Sequence, residues 1–444
     1  MILDKILLKQ KKHPILWQGS LIFLILFLGL IFFMKNVRFE LATDDLAWLN
    51  GQTPTVFDRY RVIPRLFFTT LYRYFGPSPT AALTMIYLTH LANSILVYVL
   101  ARNLFPGGSI GLIAMAVFTI NPLTLGTLTW ISCYSYVLGT LLALCALSAF
   151  WYSDLGSNSW PLSILAIASY VLGLFCSHEI FFLPLIFLVL GWFHNPSSAI
   201  RSGWIFGVSM LIGILINLTF YEFNNYGVDA GRLFRFPFLL AYISSVFAFG
   251  VALFTAFPIS FFTPVLAFLE FCFSEPVRWS ITMIFLIVII LLWKRNRRWK
   301  SFLGLTISFA ALITPYIIRI ALLPEGVNYH ISYLLSGRVF YLPFTILSLV
   351  LGWFIISLSA WSPIKKPIKI EILVLICLTA YFIALFFAYN ANDFVGLNVM
   401  VGTGQSMPPP WNPYRTYQPF WFVIMGLTIG SSIFMRLFLD YKRQ

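Results

Sequence analysis

Charged residues are scarce along this whole chain, and that scarcity constrains its fold more than any motif does. They make up 10% of 444 residues, while hydrophobic residues make up 60%; a soluble domain carries roughly 25% charged residues. So few charges cannot cover a water-facing surface, and apolar runs of more than ~18 residues are typical of transmembrane helices. The sequence therefore predicts an all-α, polytopic integral membrane protein, with a single transmembrane domain over residues 1–444.

The apolar runs predict about 12 transmembrane helices. Two further stretches, Pro237–Pro258 and Phe261–Phe273, are ambiguous, and the number becomes about 14 if both cross the membrane. The first run lacks a small-residue cleavage site, so it is expected to be a retained helix. The predicted spans are Ile15–Met34, Thr80–Ala101, Ser109–Thr127, Cys133–Tyr152, Pro161–Cys176, Ile180–Phe193, Trp204–Tyr221, Trp279–Trp293, Phe302–Leu323, Val339–Leu358, Ile372–Tyr389 and Tyr417–Leu437.

Basic residues divide unevenly between the two sets of loops that these spans create. One set holds 17 Lys and Arg against 4 acidic residues, and the other holds 12 against 11. Because loops rich in Lys and Arg stay in the cytoplasm, both termini are predicted to be cytoplasmic, in a bacterial inner or plasma membrane. This orientation explains the net charge of +14, so no nucleic-acid partner is expected. The external cations are nearly all arginine, whose planar guanidinium matches phosphate.

The first external loop, residues 35–79, is predicted to be the catalytic loop. It carries two adjacent carboxylates, Asp44 and Asp45, in a chain that has only 15 acidic residues. A carboxylate at the membrane face can accept a proton from a hydroxyl group, or position an acceptor or a metal ion. The alternative is structural, because Thr43 to Asp45 could begin and cap a short helix.

Four arginines between Glu40 and Thr80 are interleaved with aromatic residues, a pattern that predicts interfacial helices. Arg65 and Arg73 are interpreted as anchors to lipid headgroups. Arg59 and Arg61 follow an aspartate closely and are candidates to point inward, towards a lipid-linked phosphate.

Two later segments place ionisable residues at predicted external helix ends. His178 and Glu179 lie in CSHEIFFLP (176–184), and an ionisable residue at a membrane boundary is a functional candidate. The alternative for Glu179 is a loop acid that faces water. Arg338 lies in GRVFYLP (337–343), downstream of His330. It is a candidate either for binding a phosphate leaving group or for anchoring the end of a helix.

Polar residues within the second span, His90 and Asn93, are predicted to make hydrogen bonds between helices. No metal site is predicted from the sequence. The five cysteines form no CxxC pair, and the His178-Glu179 pair has no second histidine at i+4.

Taken in chain order, these segments resemble the GT-C membrane glycosyltransferases. After the acidic pair come HLANSILVYVLARNLF (90–105), NPLTLGTLTWISCYSYVLGTLLAL (121–144), CSHEIFFLP and GRVFYLP. They are most similar to the protein O-mannosyltransferase-like branch, which includes the transmembrane, tetratricopeptide-containing O-mannosyltransferases. The chain departs from that pattern in four respects. His178 replaces the lysine of a Lys-Glu pair, and an Arg-Tyr-Leu-Tyr segment begins at Arg338 but contains Val and Phe. Gly126 or Leu128 stands where the NP…WIS segment commonly has an acidic residue, and no tetratricopeptide repeats are present.

The resemblance implies a GT-C-like fold and an inverting glycosyltransferase that uses a polyprenyl-phosphate sugar donor. Asp44 or Asp45 would act as the base on an acceptor hydroxyl of a protein, lipid or glycan. Arg59, Arg61 and Arg338 would bind the donor phosphate. Membrane lipids would surround the site, no cofactor is assigned with certainty, and participation of a divalent metal ion stays open. The supporting residues would be His178, Glu179, His330 and Tyr341.

Two other classes of protein would use similar residues. A transporter or flippase of lipid-linked glycans would also need arginines around a membrane cavity, but it predicts intramembrane charges and repeated, broken helices. A polymerase or ligase of lipid-linked glycans would place its arginines in large late external loops. The loop 390–416 has only Arg415 and matches that pattern weakly.

Overall fold

The computed structural model describes residues 14–36, 61–105, 109–120, 124, 127–128, 130–153, 159–194, 199–220, 280, 283, 303–313 and 341–360. Every regular element within these ranges is helical, which confirms the all-α prediction for this part of the chain. The longer helices are α1 (Pro14–Asn36), α2 (Val62–Phe75), α3 (Pro79–Leu104), α4 (Ser109–Ile120), α5 (Tyr134–Trp151), α6 (Trp160–Leu174), α7 (Leu183–His194), α8 (Ala199–Phe220), α9 (Leu303–Ile313) and α10 (Tyr341–Ala360).

Predicted spans that fall on described residues are helical, with small shifts at their ends. Two segments of the described chain, Pro79–Leu104 and Ile131–Trp151, are long and apolar enough to cross a membrane by length and composition. The predicted spans Ile372–Tyr389 and Tyr417–Leu437 lie outside the described residues, as does nearly all of Trp279–Trp293. The ambiguous stretches, within Pro237–Phe273, also lie outside them, so the number of crossings stays a prediction.

Local sequence signals explain where several helices begin. Ser78 precedes α3 and its hydroxyl accepts a hydrogen bond from the Ala81 amide at 3.3 Å, with Pro79 in the first turn. This is a favourable N-cap, because proline has no amide hydrogen to leave unsatisfied there. Gly76 ends α2 with a φ of 65°, a conformation that glycine adopts without strain. The turn between α2 and α3 is therefore encoded within GPSP.

Short 3-10 segments precede two of the helices, where the sequence predicted uniform spans. Ile131–Cys133 leads into α5, and His178–Phe182 leads into α7. At the second site the Ser177 hydroxyl accepts a hydrogen bond from the Glu179 amide at 3.4 Å. Proline at position 184 then fits the first turn of α7. Both segments lie at helix starts on the predicted external side.

Helix α3 lies at the centre of the bundle, where it packs against α4 and α5. Helix α10 packs against α4, α6 packs against α5, and α7 and α8 form a further antiparallel pair. Glycines allow close approach at two of these contacts. A Cβ atom at Gly352 of α10 would lie 2.9 Å from the Ile110 carbonyl oxygen of α4, and one at Gly173 of α6 would lie 3.6 Å from Leu142 Cβ of α5. Small residues at contacts are typical of packed membrane helices.

A buried polar network, which we call the inner network, joins four helices near the bundle centre. It consists of His90 and Asn93 on α3, the Thr119 carbonyl on α4, the Val137 carbonyl on α5 and Tyr341 on α10. His90 Nε2 lies 3.2 Å from the Thr119 oxygen, and Nδ1 lies 2.5 Å from Tyr341 Oη. Asn93 Nδ2 donates to the Val137 oxygen at 3.0 Å and to Tyr341 Oη at 3.3 Å. The predicted interhelical hydrogen bonds of His90 and Asn93 are confirmed.

The chemistry of these groups sets the direction of the chain of hydrogen bonds. A carbonyl oxygen only accepts, so Nε2 of His90 carries the hydrogen that points to Thr119. In a neutral ring Nδ1 is then the acceptor, and the Tyr341 hydroxyl donates to it. The Tyr341 oxygen in turn accepts from Asn93. Each member thus fixes the orientation of the next, and the network sets the relative positions of α3, α4 and α10.

Candidate functional site

Arg61 stands immediately before α2, and its guanidinium faces the start of α5. Its Nη2 donates a hydrogen bond to Tyr136 Oη at 3.4 Å, and its Cζ lies 5.4 Å from the centre of the Tyr136 ring. That distance is within the range of a cation–π interaction. Arg61 is half-buried, whereas Arg65 and Arg73 are exposed along α2. Of these three arginines, Arg61 is the one that the structure turns towards the bundle.

Aromatic contacts hold α2 on the bundle next to this arginine. Phe68 is buried, and the rings of Phe67 and Phe68 lie 4.5 and 5.5 Å from the ring of Tyr134. The Ile63 amide also donates to the Phe175 carbonyl oxygen at 3.4 Å, which ties the start of α2 to the end of α6. The predicted interfacial segment is thus a helix whose inner side is fixed at its first turns.

The opposite side of α2 has the composition of an interfacial helix. Its exposed large side chains are Leu66, Tyr72, Tyr74 and Phe75, and they accompany the exposed Arg65 and Arg73. Aromatic rings and long cations with apolar stems are suited to the boundary between lipid and water. The placement of Arg65 and Arg73 agrees with their interpretation as headgroup anchors.

Glu179 lies in the turn between α6 and α7 and is only 2% exposed. The alternative in which it is a loop acid facing water is therefore wrong. The turn packs on α5, because a Cβ at Gly139 would lie 3.3 Å from Ser177 Cβ and 3.4 Å from Cys176 Cβ. A buried carboxylate persists only where other groups compensate its charge or hydrogen-bond it. Glu179 is therefore a buried acid in the turn at this end of the bundle.

Three segments that are far apart in sequence meet at this end of the molecule. They are the start of α2 with Arg61, the start of α5 with Tyr136, and the turn Phe175 to Glu179. We call this region the Arg61 end. Trp130 and Cys133 form a small buried cluster with Tyr136. The region offers a cation held against an aromatic ring, next to a turn that carries a buried acid.

Tyr136 is the residue of this region to which the sequence assigned no role. It lies in the segment NPLTLGTLTWISCYSYVLGTLLAL, four residues after Ser132. The available signal was an aromatic hydroxyl in the first turn of an apolar helix, on the same predicted side as an arginine-rich loop. That signal does not select Tyr136 over Tyr134, which packs instead against Phe67 and Phe68.

The other predicted site residues have different outcomes. The backbone of His178 begins the 3-10 segment that also contains Glu179. Tyr341 is 1% exposed and belongs to the inner network, so it acts between helices. The roles of the remaining predicted residues stay predictions, because those residues lie outside the described ranges: Asp44, Asp45, Arg59, His330 and Arg338. Within the described ranges, no group of three or more His, Cys, Asp or Glu side chains could hold a metal ion.

Comparisons with known proteins assign this chain to no family. No family model matches the chain, and no curated protein matches it. Among solved structures, the chain is similar to the crystal structure of ArnT from Cupriavidus metallidurans bound to undecaprenyl phosphate. The TM-score is 0.39 and the sequence identity is 10%, over 92% of this chain and 78% of the other.

Proposed function

We propose that this protein is a GT-C-type membrane glycosyltransferase that moves a sugar from a polyprenyl-phosphate donor to an acceptor on the external face of the membrane, with inversion at the anomeric carbon. The observation that carries the proposal is the placement of Arg61, a half-buried cation held against Tyr136 beside the turn of the buried Glu179. The ordered set of segments that resembles the GT-C enzymes supports the same conclusion.

The chemistry at the Arg61 end suits a lipid-linked phosphate. A guanidinium keeps its positive charge at all physiological pH values, and its planar fork matches phosphate oxygens. An arginine held in place before substrate binds stabilises the negative charge that develops on the leaving phosphate without reorganising. The exposed aromatic side of α2 would lie at the membrane surface, at the level of the headgroup of such a lipid.

The remaining roles follow from the resemblance. Asp44 or Asp45 acts as the base that deprotonates the acceptor hydroxyl, and the oxygen attacks the anomeric carbon as the bond to phosphate breaks. Arg59, Arg61 and Arg338 hold the departing polyprenyl phosphate. A phosphate leaves as a stable anion, so no general acid is needed. The acceptor is a protein, a lipid or a glycan.

The test is turnover of lipid-linked sugar by the purified protein in liposomes. A panel of polyprenyl-phosphate hexoses would be supplied together with a lipid, a peptide and a glycan acceptor, and release of polyprenyl phosphate would be followed. The variants are Asp44→Asn, Asp45→Asn and Arg61→Gln, with Arg73→Gln as the matched control on the exposed side of α2. We expect turnover to fall in one aspartate variant and in Arg61→Gln, and to be retained in Arg73→Gln.

Two results would count against the proposal. Wild-type turnover in both aspartate variants would exclude the acidic pair as the base. Movement of intact lipid-linked sugar across the bilayer without its cleavage would favour a transporter or flippase.

A further inference from the structure

Helices α6 and α8 each expose one continuous side of large apolar residues. On α6 the exposed large side chains are Trp160, Ile164, Leu165 and Leu172, and on α8 they are Trp204, Leu211, Ile214 and Leu215. Successive members of each set are three, four or seven positions apart, except for the adjacent pairs Ile164–Leu165 and Ile214–Leu215. Each set therefore lies on one side of its helix. The opposite sides are buried and carry small residues, such as Ser163 and Ala166 on α6 and Ser209 on α8.

The two exposed sides join into one surface. The ring centres of Trp160 and Trp204 lie 5.3 Å apart in an edge-to-face arrangement. Further along, α8 packs closely on α6 and on the following turn, because a Cβ at Gly213 would meet the Tyr170 hydroxyl and would lie 3.4 Å from Phe181. Both helices run in the same direction, so their tryptophans lie at the same end of the surface.

The composition of this surface changes along the helix axes in a defined order. At one end are the two tryptophans, 58% and 46% exposed, and Arg201 lies in the first turn of α8. Trp192, at the last turn of α7, is also exposed, as is Tyr152 just after α5. Beyond this aromatic level the exposed large residues of α6 and α8 are aliphatic. The order of indole, then aliphatic side chain matches the order of interface and hydrocarbon in one leaflet.

We propose that the joined sides of α6 and α8 form a lipid-facing wall of this protein, and that Trp160 and Trp204 mark the membrane–water boundary on the side that the sequence predicts to be cytoplasmic. The partner is the phospholipid bilayer, with acyl chains against Ile164, Leu165 and Leu211. This inference is independent of the proposed enzymatic function. It places the Arg61 end at the opposite membrane surface, since α6 begins at Trp160 and ends beside Phe175.

Side-chain size favours lipid over a second copy of the chain. Contacts between membrane helices are built on small residues, which allow backbones to approach. Here Ser163, Ala166 and Ser169 of α6 face inward and the large aliphatic residues face outward, although Ala168 is also exposed. On α8, Gly203 and Gly207 leave open space, because a Cβ at either position would have no neighbour within 4 Å. A second copy seated on those two glycines is therefore the competing occupant.

The experiment uses nitroxide labels on the full-length protein in liposomes. Trp160→Cys, Leu165→Cys and Leu211→Cys place a label on the surface, and Ala166→Cys, adjacent in sequence but buried, is the matched control. Collision with dissolved oxygen reports hydrocarbon, and collision with a water-soluble nickel chelate reports water. The unsubstituted protein, treated with the same label, gives the background from its native cysteines.

We expect labels at 165 and 211 to collide with oxygen several-fold more often than with the nickel chelate. The label at 160 should show a lower oxygen-to-nickel ratio, because it lies near the boundary, and chelate added outside inside-out vesicles should reach it. The label at 166 should be shielded from both reagents. If Ala166→Cys fails to fold, the difference between positions 160 and 165 still tests the proposal.

Other results would overturn the proposal. Strong nickel collision at 165 and 211 would show that the surface faces water. Poor collision with both reagents, together with dipolar broadening of a Gly207→Cys label, would show that a second copy covers the surface. Equal oxygen-to-nickel ratios at 160 and 165 would remove the assignment of the boundary to the tryptophans.

Discussion

The inner network and the Arg61 end are both polar regions of an apolar bundle, but they differ in burial and in what their groups contact. In the inner network, His90, Asn93 and Tyr341 are fully or almost fully buried, and their hydrogen bonds link one helix to another. At the Arg61 end a half-buried cation makes longer contacts with the face and the hydroxyl of Tyr136. The first arrangement holds helices in register, whereas the second leaves a cation within reach of a ligand.

This difference assigns separate functions to residues that the sequence grouped together. Arg61 was expected to bind the donor phosphate, and Tyr341 was expected to support the same site. Their burial separates them, because a hydroxyl that is 1% exposed and already bonded to His90 acts on its neighbouring helices. Substitutions in the inner network should therefore change stability first, and substitutions at the Arg61 end should change turnover first.

The largest expected effect is that of Arg61→Gln on turnover. Removing a fixed cation next to a developing oxyanion costs on the order of 100-fold in kcat, by analogy with the removal of an oxyanion-hole donor. The unfolding temperature should change little, since Gln can occupy the same half-buried position. The measurement is release of polyprenyl phosphate at saturating donor. Retention of full activity would mean that Arg61 does not act on the phosphate.

A smaller but clear effect is expected for Tyr341→Phe on stability. The substitution leaves the buried Nδ1 of His90 without its donor and removes one acceptor of Asn93, which costs about 1–3 kcal/mol. The control is Ser348→Ala on the same helix, whose hydroxyl bonds only the Phe344 carbonyl of its own turn at 2.7 Å. Thermal unfolding in detergent should show a larger decrease for Tyr341→Phe. Equal decreases in unfolding temperature would mean that the hydrogen bonds between helices add nothing to stability.

The variants Tyr136→Phe and Tyr136→Leu test separately the two contacts that hold Arg61, which are a hydrogen bond and a cation–π contact. The phenylalanine variant keeps the ring and loses a hydrogen bond of 3.4 Å, so donor KM should rise only a few-fold. The leucine variant also loses the cation–π contact, which contributes about 0.5–2 kcal/mol, and should raise KM further. Steady-state kinetics over a range of donor concentrations distinguishes the two. Similar values in both variants would show that the ring does not hold Arg61.

The smallest expected effect is that of Arg73→Gln. This arginine lies on the exposed side of α2, so its loss should leave kcat unchanged in liposomes of neutral lipid. In anionic liposomes, attraction to the headgroups contributes about 1 kcal/mol to membrane binding for each cation near the surface. A decrease in kcat as large as that of Arg61→Gln would place Arg73 in the site and would remove the distinction between the two sides of α2.

The helices were largely predictable from the sequence, because burial in lipid requires long apolar segments and leaves few alternatives to helix. The ends of α1, α3 and α6 agree with the predicted spans within a few residues. The 3-10 segments before α5 and α7 were not predicted, since they depend on how Gly139 and Ile180 pack against one another. The helix α2 was also predicted, from its interleaved arginines and aromatic residues, and its place at the membrane surface stays a prediction.

The candidate site was predictable only in part. Arg61 was selected by its position in the arginine-rich loop, and Glu179 by its place at a helix end. Their surroundings were not predictable, since Tyr136 is 75 residues away from Arg61 along the chain. A pairing of that kind depends on which helix ends meet, and side-chain type alone does not determine that.

The sequence by itself determined that the described part of the chain is helical and that the whole chain is apolar and basic, because each of these properties is a sum over residues or a short-range pattern. The tertiary structure decided that Glu179 is buried, that Arg61 faces Tyr136, and that Tyr341 bonds His90 across 251 residues. It also decided which sides of α6 and α8 remain exposed. The physical reason is that burial and pairing depend on the packing of distant helices, and small residues such as Gly352 and Gly173 set how closely those helices approach.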